Sequence, residues 1–395
     1  MAAAFPGEHI NWVTQVDRRG TGHAVLQALP AFAADARVMI LVGDVPLITS
    51  ATLSALAAVE ADLTVLTVEL DNPTGYGRII RDATGDFLEI VEERDASDAQ
   101  RRVREISTGI MVASAERLSA WLPQLTDDND QQEFLLPDII KIARAEGARV
   151  STCLTENPLE VTGVNTFAQL AELERGHQLE QAKKFMGSGV HIIDPNRFDV
   201  RGDAEIGRDT VIDVNVILEG KVAIGEGVRI GPNVVIKDAT IGAGSEIKAN
   251  THIDGAILEE NCSAGPFARL RPGTYLCRDV AIGNFVEVKK SKLGVGTKAS
   301  HLAYLGDSTL GSSVNIGAGT ITCNYDGVNK WETHIGNDVF VGSNTSLVAP
   351  VSVGAGSTTG AGSTITKDVP EGVLAVGRGR QTTIAGWKRP EKKST

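Results

Sequence analysis

From Ile206 onward an aliphatic residue followed by glycine keeps returning, at Ile206, Ile224, Ile230, Ile241, Ile282, Leu293, Leu310, Ile316, Ile335, Val341 and Val353. Two stretches hold a strict period of six: Ile224, Ile230, Ile236, and Ile335, Val341, Leu347, Val353. This fits neither the period of about 3.6 of a helix nor the period of about 2 of a half-buried strand. It fits a coil in which a short strand and a turn repeat, with the aliphatic side chain in a stacked core and the glycine at the crowded turn. Three hexapeptides close one triangular rung, so the pattern predicts a left-handed parallel β-helix whose rungs touch only their neighbours. The alternative, a β-sandwich with Gly-rich turns, would alternate over longer stretches. The period breaks near Asp254–Cys277 and again near Thr320–Thr333. Insertions in a solenoid form loops, and loops carry function.

Composition divides the chain at about the same place. Of 42 glycines, 31 follow residue 186. The first 186 residues carry 16 Lys and Arg against 28 Asp and Glu, and the remainder carries 22 of each. An acidic first part and a neutral second part leave no basic stripe for a nucleic acid. No apolar run is long enough to cross a bilayer, and Met1–Pro6 lacks the basic start of a secretion signal, so a cytoplasmic protein without membrane insertion is expected. Cys153, Cys262, Cys277 and Cys323 form no CxxC pair and read as reduced thiols.

The first part alternates strands and helices. Val38–Val42 reads as a buried parallel strand ending in Gly43-Asp44-Val45-Pro46. Ala51–Val59 follows as a helix, Leu63–Val68 as a strand, and Ile79–Arg81 with Phe87–Val91 as a hairpin. Thr108–Val112 reads as a strand, and Ala115–Trp121 and Phe134–Ala145 as helices. The alternation predicts a doubly wound, Rossmann-like α/β domain over 1–165 with ligands at the carboxyl ends of its strands. A helix over 166–186, with Phe167, Leu170 and Leu173 on one face, links it to a β-helix domain over 187–395.

Taken singly, the chemistry-bearing residues stay ambiguous. Asp44 could be a Mg²⁺ ligand or a turn residue, and Asn165 a second oxygen ligand or a helix cap. Glu92-Glu93 could meet sugar hydroxyls or solvent, and the Gly20-Thr-Gly-His-Ala24 turn could let a base approach backbone amides. His301 is the best general-base candidate among seven histidines. Lys289-Lys290, Arg269 and Arg271 could bind phosphate, and Lys388–Lys393 is either a phosphate contact or a solvated tail.

In order along the chain they become more specific. Gly20-Thr-Gly-His-Ala24, Gly43-Asp-Val-Pro-Leu-Ile48, Asn72-Pro-Thr-Gly-Tyr-Gly-Arg-Ile79 and Glu160-Val-Thr-Gly-Val-Asn165 resemble a sugar-nucleotide pyrophosphorylase domain. Gly265-Pro-Phe-Ala-Arg-Leu-Arg-Pro-Gly273, Gly283-Asn-Phe-Val-Glu-Val-Lys-Lys290, His301-Leu-Ala-Tyr-Leu-Gly-Asp307 and Asn315–Gly327 follow. Together the series resembles the bacterial bifunctional N-acetylglucosamine-1-phosphate uridyltransferase/glucosamine-1-phosphate acetyltransferase family over nearly the whole chain. The family's Leu-Ala-Ala-Gly-x-Gly-Thr-Arg-Met phosphate loop has no counterpart before Gly20, Val42 stands where Tyr is usual, and Ser107 where Asn is usual. The resulting expectation is acetyl transfer near the family norm and uridylyl transfer at or near background.

The resemblance implies acetyl transfer from acetyl-CoA to glucosamine 1-phosphate, then coupling of the product to UTP, a supply of UDP-N-acetylglucosamine for cell-wall synthesis. It implies His301 as general base; were His301 dispensable for turnover, Glu287 would be first in line for the role. Arg271, Lys289, Tyr304, Asn315 and Lys330 would contact the acceptor sugar phosphate. Ala318, Asn324, Tyr325, Ser343, Ala361 and Arg378 would line the acetyl-CoA cleft. In the first domain Gln15, Gly20 and Thr21 would meet uracil. Val42, Gly43, Gly77, Glu92 and Ser107 would line the sugar-nucleotide site, and Asp44 and Asn165 would hold Mg²⁺. A homotrimer is implied, with acetyl-transfer sites between neighbouring solenoids. The rival readings are an acetyltransferase carrying a scaffold domain and a nucleotidyltransferase with a purely structural β-helix. A third, a zinc hydratase, needs three imidazoles, and His252, His301 and His334 are widely spaced.

Overall fold

The computed structural model describes residues 10–129, 132–390 and 392. Met1–Pro6, Glu391 and Lys393 lie outside the described residues. The chain divides between His177 and Gln178 into two compact units.

The first unit contains α1 (Thr21–Ala28), β1 (Arg37–Ile40), α2 (Ser50–Ala58), β2 (Leu63–Glu69), β3 (Arg78–Arg81), β4 (Phe87–Val91), β5 (Glu105–Ser114), α3 (Ala115–Trp121), α4 (Ile139–Ala145) and β6 (Val150–Thr155). Its sheet runs β4-β3-β5-β2-β6, with β1 paired to β5. The long strand β5 is antiparallel to β1, β2 and β3, and only β2 and β6 run parallel. The Rossmann-like α/β layer stands, but the parallel pairing expected of the first strand is corrected: the β3–β4 hairpin turns the chain back, so β5 returns antiparallel beside β2 and β1. The first strand is likewise shorter than Val38–Val42, antiparallel and part-exposed, because it covers only the Met111–Ser114 end of β5.

Strand β2 supplies both faces of the core. Leu63 and Val65 pack with Leu118, Trp121 and Ile139, whereas Leu66 and Val68 pack with Leu56, Ile110 and Val161. Simple alternation along the strand puts the odd-numbered pair on one face and the even-numbered pair on the other. Ser114 caps α3 by accepting the Arg117 N–H, and Thr49 caps α2 by accepting the Thr52 N–H. Pro137 opens a 3₁₀ turn and delays α4 to Ile139, five residues later than the sequence pattern suggests.

A long helix, α5 (Phe167–Gly187), follows. Of its expected apolar face only Leu173 is buried, while Phe167 and Leu170 face solvent. Further along, the Gln178 side chain accepts from Val200 N–H (2.7 Å) and donates to its carbonyl (2.9 Å), and Ala182 enters the core of the second unit.

That second unit is a parallel β-solenoid from His191 to Ala375. Most rungs advance the chain by 17 or 18 residues, as from Ile236 to Ile253 to Leu270 to Val288, while the one from Ile316 to Val341 advances it by 25. Each face contributes one inward column, for example Ile230, Ile247, Ala264, Ile282, Ala299 and Ile316. All six are buried. The coil passes through Asp254–Cys277 in unbroken register, so no insertion exists there. Ala264 and Ala268 fill core places that larger aliphatics hold elsewhere, which hides the repeat. The second break is real. Where the preceding rung turns from Gly306 to Ser308 through Asp307 alone, this one runs through Asn324–Glu332 before Thr333.

The turn glycines are required by proximity as much as by dihedral angle. A Cβ on Gly283 would lie 1.8 Å from the Ser300 carbonyl oxygen on the next rung. Gly283→Ala is expected to destabilise the solenoid by about 1–3 kcal/mol through forced backbone displacement. A lowered denaturant midpoint of the second unit checks this, and an unchanged midpoint contradicts it.

Candidate functional site

The register of the solenoid gathers distant residues at one corner. Asn284 and His301 are partners on adjacent rungs, and His301 Nδ1 lies 2.7 Å from Asn284 Oδ1. An amide oxygen can only accept, so Nδ1 carries a proton, and in the neutral ring it is Nε2 that keeps the lone pair. Sequence reasoning missed Asn284, although its separation from His301 is one rung. On the following rungs Gly319 N–H bonds to Leu302 O (2.9 Å), Asn344 N–H to Ala318 O (2.7 Å) and Gly362 N–H to Ser343 O (2.8 Å). The Arg378 guanidinium donates to the Ala361 carbonyl. His301, Ala318, Ser343, Ala361 and Arg378 thus form a ladder up a single corner.

Three bulky residues beside this ladder adopt left-handed backbone: Phe267 (φ 55°), Phe285 (φ 57°) and Leu302 (φ 47°). Such angles are costly for non-glycine residues and cluster at functional sites. All three are at least half exposed, and the two phenylalanine rings stack with centroids 5.4 Å apart.

Past the corner, Glu287 and Tyr304 are partners on successive rungs, and Arg271 donates to Glu287 at 2.7 Å. Lys289 follows Glu287 by two residues, and the Lys330 ammonium from the inserted loop bonds beside it. That neighbour lowers the Lys330 pKa, first through the contact itself and then through like-charge repulsion. Asn315 sits three residues upstream of Ala318, at the far end of its face and in register with Lys298 and Phe340.

The loop itself is tightly built. Tyr325 and Lys330 form an antiparallel bridge, and Trp331 N–H donates to Asn324 O at 2.8 Å. Asp326 accepts from Trp331 Nε1 (2.7 Å), Asn329 N–H (2.6 Å) and Val328 N–H (2.8 Å). Those donors, the indole first, hold its carboxyl pKa down at about 2.

In the first unit, Val164 N–H donates to Asp44 O (3.0 Å), and a Cβ on Gly163 would stand 3.3 Å from Asp44 Oδ2. Asp44 and Asn165 are therefore neighbours across two loops. Gly43 has open space beside it, and Val42 lies against Gly109, whose N–H donates to Ser107 Oγ. Ser107 N–H donates to Gly77 O (2.9 Å), and a Cβ on Gly77 would crowd Ile90 and Glu92. Val42, Gly43, Asp44, Gly77, Glu92, Ser107 and Asn165 thus share one continuous surface. Gln15 donates to Gly20 O (3.1 Å), and the Thr21 hydroxyl accepts from Leu136 N–H (3.0 Å). These three form a loop packed on Phe134–Leu136. Among the described residues no three His, Cys, Asp or Glu side chains converge as a metal cage. A cation beside Asp44 and Asn165 would complete its shell with substrate oxygens, as Mg²⁺ commonly does.

A hexapeptide-repeat solenoid bearing a His-centred corner, joined to an α/β unit with a carboxylate-and-amide surface, defines a two-site transferase architecture. Residues 199–293 match the family described as the GMPPB C-terminal domain, and 332–367 match the bacterial transferase hexapeptide family. The protein called bifunctional protein GlmU in Marinobacter nauticus is 54% identical over 99% of this chain and 86% of its own length. Its namesake in Pseudomonas entomophila is 56% identical over 98% and 85%, and that in Azoarcus sp. 56% over 96% and 85%. The chain belongs to the bifunctional GlmU family.

Partial desolvation of the Glu92 carboxyl, although the residue stays exposed, raises its pKa above the ordinary glutamate value, reinforced by Asp95 and Asp138 and opposed by Arg94. Its ionised form therefore opposes folding at neutral pH, and stability is lost as pH rises through the raised pKa. Glu92→Gln is expected to raise the melting temperature of the first unit slightly at pH 7, since solvent screens so exposed a group, with the gain shrinking as pH falls toward 4.5. A gain that persists unchanged at low pH contradicts this assignment.

Proposed function

We propose that the solenoid corner transfers acetyl from acetyl-CoA to the amine of glucosamine 1-phosphate, and that the α/β unit couples the product to UTP. Similarity to bifunctional relatives extends across both units, so neither unit is read as a scaffold. The observation that carries the acetyl assignment is the corner ladder, which puts an oriented imidazole beside a run of exposed turns long enough to seat an extended cofactor.

His301 Nε2 takes a proton from the sugar amine, whose lone pair attacks the thioester carbonyl. Asn284 holds the tautomer and stabilises the imidazolium that forms. The tetrahedral intermediate collapses with expulsion of the CoA thiolate, to which the imidazolium returns the proton, while turn amides on the ladder face the developing oxyanion. Arg271, Lys289 and Lys330 bind the acceptor phosphate, with Tyr304 and Asn315 on the sugar hydroxyls. Asn324, Tyr325, Ala318, Ser343, Ala361 and Arg378 hold acetyl-CoA.

In the second reaction a phosphate oxygen of N-acetylglucosamine 1-phosphate attacks the α-phosphorus of UTP and pyrophosphate leaves. Asp44 and Asn165 are assigned to Mg²⁺, which when bound neutralises charge on the reacting phosphates. Gln15, Gly20 and Thr21 orient the uracil, and Gly77, Glu92 and Ser107 the sugar. The exposed Phe267–Phe285–Leu302 shelf beside His301 supports a homotrimer in which a neighbouring solenoid completes each acetyl site. No helix among the described residues is long and apolar enough to cross a membrane. Acetyl-CoA and UTP as co-substrates assign the chemistry to the cytoplasm.

His301→Ala is expected to lower acetyl transfer about 10²–10⁴-fold while leaving pyrophosphate release from UTP untouched. CoA-thiol and pyrophosphate assays on one preparation check this. Near-normal CoA release from the variant would move the base role to Glu287. Sedimentation should give a trimer, and an active monomer at all concentrations would refute the shared-site reading.

A further inference from the structure

Asp307 occupies an unusual place in the solenoid. It is the single residue between two strands on the rung directly beneath the inserted loop, it adopts left-handed backbone (φ 47°), and it is 5% exposed. Its N–H donates to Lys289 O on the rung before (3.1 Å), and its carbonyl accepts from Thr333 N–H, the first residue after the loop (3.1 Å). Its carboxylate Oδ2 accepts from Asn324 Nδ2, the first residue of the loop, at 2.5 Å. Asn324 is itself buried, and Lys290 Nζ stands 3.5 Å from Oδ1. Both ends of the Asn324–Glu332 loop are thus fastened to one residue.

The consequence is electrostatic as well as geometric. The loop's internal order comes from Asp326, which grips Val328, Asn329 and Trp331 but does not tie the loop to the coil. The tie at its first residue is Asp307, with a longer bond from Val351 N–H to Glu332 O (3.4 Å) at its last, and what the tie delivers is the Lys330 ammonium beside that of Lys289. Two adjacent ammonium groups repel, and among the charges acting on Lys330 Asp307 is the favourable carboxylate. The two lysines are left with donors to spare for a dianion.

We infer that Asp307 is a positioning residue for acetyl transfer, holding the inserted loop so that Lys330 joins Lys289 as a preformed phosphate clamp. The inference rests on the assignment of Lys330 to the acceptor phosphate.

The test compares full-length Asp307→Gly and Asp307→Asn with wild type, alone and combined with Lys330→Ala. Glycine accepts the left-handed backbone and deletes the side chain, while asparagine keeps an acceptor for Asn324 and tolerates the same backbone. Asp307→Gly is expected to raise KM for glucosamine 1-phosphate about tenfold, the scale of a lost charge-assisted hydrogen bond. Its kcat should stay within about threefold, and Asp307→Asn, which keeps the tie to Asn324 but not the charge, should give a KM between that of Asp307→Gly and wild type. Combining Asp307→Gly with Lys330→Ala should add little to either alone, since both act through one ammonium group. Fully additive effects, or a fall in kcat with KM unchanged, would overturn the inference. An unchanged KM in Lys330→Ala alone would instead overturn the phosphate assignment beneath it. Should the glycine variant fail to fold, Asp307→Ser carries the same expectation, at a backbone angle that Ser313 already adopts in this coil (φ 58°). Failure of both to fold would make Asp307 a folding requirement and overturn the positioning role.

Discussion

Parallel stacking of rungs at a nearly fixed advance of 17 or 18 residues is the constraint from which the second unit follows. Each strand satisfies its backbone groups on the rungs above and below, so the phase of the chain cannot slip without breaking a ladder. That lock brings aliphatic side chains into continuous inward columns, and it leaves no room for a Cβ at Gly283 or Gly342. It also aligns His301, Ala318, Ser343, Ala361 and Arg378 along one corner although 77 residues separate the first from the last. The chemistry inherits its geometry from the coil rather than from any local motif.

The first unit positions its residues differently. No repeat aligns Val42, Gly43, Asp44, Gly77, Glu92, Ser107 and Asn165. They meet because the β3–β4 hairpin, the end of β5 and the loops after β1 and β6 converge at one side of a mixed sheet. Close approach does the work that register does in the solenoid: Gly163 lies against Asp44 and Gly77 against Glu92, where larger side chains would force the partners apart. Nearby, the Arg78 guanidinium is buried against Glu93 and also donates to the Tyr76 carbonyl, fastening the loop that leads into Gly77. A buried charge of this kind is strongly destabilising to break from one side.

What could be read from the sequence follows the same division. The hexapeptide period made the solenoid legible, because one aliphatic residue per short strand is a strong signal with a single structural solution. It failed over Asp254–Cys277 only because Ala264 and Ala268 are too small to register as repeats while filling the same core places. The helix over Ala115–Trp121 and the hairpin around Asp82–Asp86 were legible from local pattern. Strand direction was not, because apolar runs carry no sign of parallel or antiparallel pairing. β1 and β5 are therefore the elements whose pairing differs from expectation. Of the candidate site, the side chains to which chemistry is assigned were visible as residue types in sequence motifs. Those that orient them were not. Asn284 becomes meaningful only when the rung length is known, and Asp307 only when the inserted loop is seen to start and end on it.

The central claim is that the corner of the coil is where acetyl-CoA and the sugar phosphate meet. A crystal structure with CoA and glucosamine 1-phosphate bound tests it most directly. The account predicts the extended cofactor along Ala318, Ser343, Ala361 and Arg378, the sugar amine within hydrogen-bond reach of His301 Nε2, and the phosphate between Lys289 and Lys330. CoA bound along another edge of the solenoid, or a sugar amine remote from His301, would contradict it.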